Sequence, residues 1–184
     1  MSTTVKHERP GVYSSYETSS LTAAAAGGSK VAVVAKADGA DGETVYQWTS
    51  YSKAAADVGD CVLSQMAQLA IRNGAGTVYG VPAGEDYDAA FALAAALEDV
   101  AVVVCDSTDL TVQQALKTMV QECSGARRER IAVVGGMAGE SVSQLVERAV
   151  GLNCERVVLT APGMGDGSGG AMCAAAVAGA IAGS

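Results

Sequence analysis

The chain has 184 residues and a formal net charge of −8, with 20 acidic side chains against 12 basic ones. That balance speaks against a nucleic-acid or anionic-membrane surface, because both need clustered Lys and Arg. Hydrophobic residues make up 49% and aromatics only 4%, so the core is built from Ala, Val, Leu and Met, in a chain long enough for one substantial domain.

The first 28 residues read as an extended N-terminal arm, and residues 29–184 as a single α/β domain. Within the arm, KHERPGVYSSYETSS has no apolar face of its own. Pro10 fixes its own φ and pushes Arg9 toward extended geometry, while Gly11 permits a turn or a close approach. Val12, Tyr13 and Tyr16 favour a strand, and an isolated strand is unstable in water. The arm therefore adds to a sheet edge, its own or a neighbour's. MSTTVKHERP has no apolar stretch of the kind a signal peptide carries, and the small-residue run AMCAAAVAGAIAG is too short to span a bilayer.

From residue 31 strands and helices alternate. VAVVAKA (Val31–Ala37) is a buried strand, ADGADGE a turn, and TVYQW a short second strand. A helix follows around Asp60–Asn73, stopped by Asn73-Gly74. TVYGVP (Thr77–Pro82) is a strand, and Tyr87, Ala90, Phe91, Ala94 and Leu97 share one face of the next helix. VAVVVCD (Val100–Asp106) is a central strand covered on both faces. Thr111 and Gln114 have capping-box spacing ahead of a helix through Cys123. RIAVVGG (Arg130–Gly136) is a strand. Ser141 and Gln144 form a second capping box, and the helix after it carries Val142, Leu145, Val146 and Ala149 at core spacing. RVVLTAP (Arg156–Pro162) is the last strand, and the Gly-rich GMGDGSGG leads into an Ala-rich final helix. This order gives a parallel-rich sheet with flanking helices.

Residues that could carry chemistry are few. The five cysteines are odd in number and form no C-x-x-C, so they read as buried, reduced thiols of a cytosolic protein. His7 is the only histidine, so neither a metal cluster nor a Ser-His-Asp triad is expected, and Ser168 lacks the G-x-S-x-G frame. CDSTD (Cys105–Asp109) ends a central strand but has no base beside it. Arg127, Arg128 and Arg130 read as a solvated helix end. VVGGMAGES (Val133–Ser141) is explained as a sharp turn with Ser141 as cap. The loop Gly163–Gly170 follows a strand and opens a helix, where backbone N–H groups can hold a phosphate. It has neither a clean dinucleotide fingerprint nor a Walker lysine. A small nucleotide- or phosphate-binding protein using loop 163–170 is the alternative that the residues leave open, and an interaction module of some other large assembly is a third.

Several segments, in order, resemble contractile tail sheath proteins of bacteriophages and phage-derived particles. They are RPGVY (Arg9–Tyr13), VAVVAKADGADGETV, IRNGAGTVYGVPAG (Ile71–Gly84), RRERIAVVGG, LNCERVVLTAPG (Leu152–Gly163) and AAAVAGAIAG (Ala174–Gly183). The resemblance implies a structural protein without catalytic, metal or cofactor sites. It implies rings of identical subunits around a tail tube, in contact with baseplate proteins and with neither nucleic acid nor membrane insertion. The lattice contracts to drive the tube forward. Terminal arms join neighbours by strand exchange, which gives Val5, Arg9, Pro10, Gly11, Val12, Tyr13 and Tyr16 the role of a subunit-linking arm. The implied location is a virion tail or phage-derived particle, assembled in the bacterial cytoplasm without a signal peptide. Family members continue past AAAVAGAIAG into a C-terminal domain, so the chain resembles an N-terminal portion or a shortened member.

Overall fold

The computed structural model describes residues 29–161 and 170–184. Six strands form one sheet in the order β2-β3-β1-β4-β5-β6. They are β1 (Lys30–Lys36), β2 (Tyr46–Trp48), β3 (Thr77–Ala83), β4 (Val100–Cys105), β5 (Ile131–Gly135) and β6 (Val157–Thr160). Five run parallel, and only the three-residue β2 pairs antiparallel, on β3 at one edge. The strands predicted from VAVVAKA, VAVVVCD and RIAVVGG are three of the four inner ones, which agrees with their continuous β-branched runs.

Successive side chains of a strand point to opposite faces, and the core divides accordingly. Val31, Val33 and Ala35 of β1 face helices α1 (Tyr51–Val58), α2 (Val62–Arg72) and α6 (Ala171–Ala182). Ala32 and Val34 face α3 (Tyr87–Ala96), α4 (Leu110–Gly125) and α5 (Val142–Leu152). The result is a three-layer α/β/α body.

Three local expectations are corrected. Helix α1 was not anticipated: only Ala54 and Val58 of its eight residues are buried, too short a repeat to signal a helix. Helix α4 is not capped by Thr111. Its cap is Asp109, two residues earlier, whose carboxylate accepts the Thr111 N–H at 2.7 Å. Helix α5 has the predicted Ser141–Gln144 capping box, but its face is turned. Val142, Val146 and Ala149 are exposed, Leu145 is half-buried, and the side packed inward holds Arg148 and Leu152. The reason is polar: Arg148 fills the inward position because its partners lie there.

The small residues have a packing role. A Cβ on Gly179 of α6 would lie 2.3 Å from the Ala70 carbonyl oxygen of α2, so the two helices meet backbone to backbone. At the sheet edge a Cβ on Gly80 would lie 2.1 Å from the Trp48 ring, which is fully buried, and Trp48 Nε1 donates to Asp57 Oδ2 at 2.9 Å.

Candidate functional site

In parallel α/β sheets a ligand sits outside the carboxyl ends of the strands, where the strand order reverses. Here that place lies between β1 and β4, where Asp106 stands, and beside it a cavity of about 380 Å³ opens past the ends of β1 and β3, lined among others by Lys36, Asp38, Gly39, Pro82 and Glu85. Asp106, just past β4, accepts the Lys36 backbone N–H at 3.0 Å and the Tyr87 hydroxyl at 2.7 Å. One carboxylate thus ties the end of β1 to the start of α3. Burial, and then Asp106, pushes the Tyr87 phenol well above its ordinary range, so it stays a donor. Cys105 is fully buried, and its thiol is pushed up to about 12, chiefly by burial and then by Asp106. A thiol so perturbed is not a thiolate nucleophile near neutral pH. Asp109, the last acid of CDSTD, is the cap of α4. The segment is structural in every described contact.

The turn after β5 provides its own anion. Glu140 accepts the Met137 N–H at 2.7 Å and pairs with the Arg148 guanidinium, which holds its carboxyl below the usual range. Arg148 Nη1 donates to Thr108 O at 2.8 Å and to Gln113 Oε1 at 3.1 Å. Gln113 Nε2 in turn donates to Gly135 O and Ser107 O, at 2.8 and 3.0 Å. This buried clasp joins the loops after β4 and β5 and leaves the 133–141 turn with no demand for a phosphate. It was missed from sequence. Its signal was there: a lone Arg on the inward side of α5, spaced four and eight residues from Gln144 and Glu140.

Of the loop 163–170 only Gly170 lies within the described residues. Its N–H donates to Gly136 O at 2.8 Å, and a Cβ on Gly135 would lie 2.2 Å from its carbonyl carbon. These glycines let the start of α6 press on the end of β5, a packing role. Among the described residues no three His, Cys, Asp or Glu side chains converge as metal ligands, and no helix is long and apolar enough to cross a membrane.

The arginine expectation is corrected at the other end of the sheet. Arg127 is exposed, but Arg130 is only 2% exposed. Arg130 donates to the Ala94 and Leu97 carbonyls, and Arg128 to that of Ala95. Both satisfy orphan carbonyls at the C-terminal end of α3, where the helix dipole favours a cation. The cysteines separate as well: Cys105 and Cys123 are buried, while Cys61, Cys154 and Cys173 are half-buried, and all five are unbridged.

The arm residues Val5, Arg9, Pro10, Gly11, Val12, Tyr13 and Tyr16 lie outside the described residues. Their point of attachment does not. The Ser29 N–H donates to Ala182 O at 2.8 Å, so the preceding chain joins the body beside the C-terminal end of α6. Ser29 also borders a small cavity of about 210 Å³, with Arg130, Arg156, Ile131 and Ile181 around it.

No sequence family matches the chain, and no curated protein sequence does. Solved structures do match. The helical sheath of the anti-feeding prophage in its contracted state superposes on 95% of this chain at TM-score 0.58 and 16% identity. The fold is that of tail sheath proteins. A sheath tail protein from Desulfitobacterium hafniense covers 95% of the chain at TM-score 0.63 and 10% identity. The anti-feeding prophage baseplate in its contracted state covers 96% at TM-score 0.53 and 12% identity. The chain spans 52%, 62% and 53% of the lengths of these three structures.

Proposed function

We propose that the protein is a structural subunit of a contractile tail sheath and acts without catalysis. The observation that carries this reading is the match of 95% of the chain to a contractile particle's sheath and to an independent sheath protein. Its partners are other copies of itself in rings, the tail tube and the baseplate. Its place is a virion tail or phage-derived particle assembled in the bacterial cytoplasm. The arm 1–28, including Val5, Arg9–Tyr13 and Tyr16, links neighbours by strand exchange, and the α/β body moves as a rigid unit when the lattice contracts.

Negative-stain electron microscopy of the full chain at high concentration, with and without residues 1–20, tests this. The expected result is rings, tubes or filaments that vanish with the arm while the body stays folded. Dispersed particles from the full chain, or loss of folding in the deleted chain, would sink the reading.

A further inference from the structure

The Asn73-Gly74 pair that stops α2 is also a reactive pair. In an Asn-Gly sequence the Gly backbone nitrogen can attack the Asn side-chain carbonyl carbon. An N–Cγ bond forms, the Cγ–Nδ2 bond breaks and ammonia leaves. Water then opens the five-membered ring to aspartate or to isoaspartate. Gly favours the attack because it puts no side chain beside the nitrogen, and asparagine is a thermolabile residue for this reason. Asn73 is exposed, so water and hydroxide reach it. Exposure alone predicts a site that deamidates readily.

The backbone geometry opposes the attack. Asn73 has φ −98° and ψ 7°. With ψ near zero the Gly74 nitrogen lies beside Asn73's own backbone nitrogen and away from Cβ. The ring closes only after rotation about the Asn73 Cα–C bond. Both reacting groups are also engaged: Asn73 Nδ2 donates to Leu69 O at 2.8 Å, and the Gly74 N–H donates to Ile71 O at 3.2 Å. The same rotation would break the bond from the Ala75 N–H to Ala70 O, 3.1 Å long, and drag Ala75, which is 1% exposed, out of the core.

These local bonds form the stop, and α6 adds a lock from outside. A Cβ on Gly74 would lie 3.1 Å from Gly183 Cα and 3.4 Å from the Gly179 carbonyl oxygen. A Cβ on Gly183 would lie 2.9 Å from Gly74 Cα. The turn and the C-terminal end of α6 therefore meet backbone to backbone, and the turn has no room to swing while α6 is seated.

We infer that Asn73 is a latent deamidation site, held shut by the packing of α6 on the end of α2 and opened when that seam opens. Local opening, not solvent exposure, sets its rate. The isoaspartyl product lengthens the main chain by one carbon in a turn that has no space for it, so a chain modified while open does not close again in the same way.

The test is the loss of Asn73 over time at mildly alkaline pH, read by peptide mass spectrometry on the full 184-residue chain. The reference is a synthetic peptide, LAIRNGAGTV, which has the sequence of residues 69–78. The folded chain is expected to deamidate at Asn73 at least about tenfold more slowly than the peptide. Gly183→Ala, whose methyl group would press on Gly74, is expected to raise the rate at least about threefold in a chain that circular dichroism shows to be folded. The parent in urea below its unfolding midpoint gives a measure that needs no variant, and its rate is expected to rise with urea. Equal rates in chain and peptide would overturn the inference. A folded Gly183→Ala chain with the parent's rate would overturn the part given to α6. A rate that stays flat in urea up to the unfolding transition would mean that the reaction proceeds from the closed turn, and would overturn the opening step.

Discussion

Helices α5 and α6 pack on opposite faces of the sheet and use their apolar residues in opposite ways. AMCAAAVAGAIA of α6 is apolar nearly all round and has almost no preferred side, yet the domain buries it against α2 and the inner strands. VSQLVERAVGL of α5 has a well-formed apolar side, yet the domain turns that side outward and fills the inward position with an arginine. Smallness explains the first. Only Ala and Gly let α6 approach α2 so closely that Gly179 meets the Ala70 carbonyl. Polar partnership explains the second. Glu140, Gln113 and the Thr108 carbonyl hold Arg148, and the valines follow the helix round to solvent. Apolar periodicity tells which residues share a side. It does not tell which side faces home.

Substitutions can break this contrast. The largest effect is expected from Gly179→Ala, because its new methyl group meets a backbone oxygen at 2.3 Å and not a yielding side chain. A loss of about 3 kcal/mol or more in urea unfolding is expected; a change within about 0.5 kcal/mol would mean that α6 has room to move and the contrast is weaker than drawn. Next is Arg148→Met, which keeps the stem and deletes the charge. It strands the largely buried Glu140 carboxylate and is expected to cost about 3 kcal/mol at neutral pH.

The same pair gives a pH signature. Glu140 binds its proton less tightly folded than unfolded, so its contribution is complete above the ordinary value of 4.5 and is lost as pH falls below it. The gap between parent and Arg148→Met is therefore expected to narrow on acidification, checked by urea midpoints at a series of pH values. A constant gap would show that Arg148 acts through packing alone. The smallest effect is expected from Val142→Ser with Val150→Ser: within about 0.5 kcal/mol for the monomer, since neither side chain touches its core. A clear destabilisation would mean that these two valines are covered within their own chain.

Most of the body was legible in the sequence for identifiable reasons. Val100–Cys105 and Ile131–Gly135 are β-branched runs long enough for buried strands and too short for helices. Ser141 with Gln144, and Asn73 before Gly74, act through local hydrogen bonds and backbone geometry and need no tertiary context. What stayed illegible depends on partners distant in sequence. Arg130 reads as a surface residue until α3 presents the Ala94 and Leu97 carbonyls to it. Thr111 competes with Asp109 for one helix start, and spacing alone does not choose between them. The turn of α5 depends on Gln113, 35 residues from Arg148.

Trp48 is the only tryptophan, fully buried at the β2 edge and tied through its indole nitrogen to Asp57. Its surroundings change when the body unfolds, whereas the exposed valines of α5 lie on the opposite layer of the sheet. Native emission from this one buried indole is thus a built-in reporter of folding. It separates a variant that no longer assembles from one that no longer folds, without any added label.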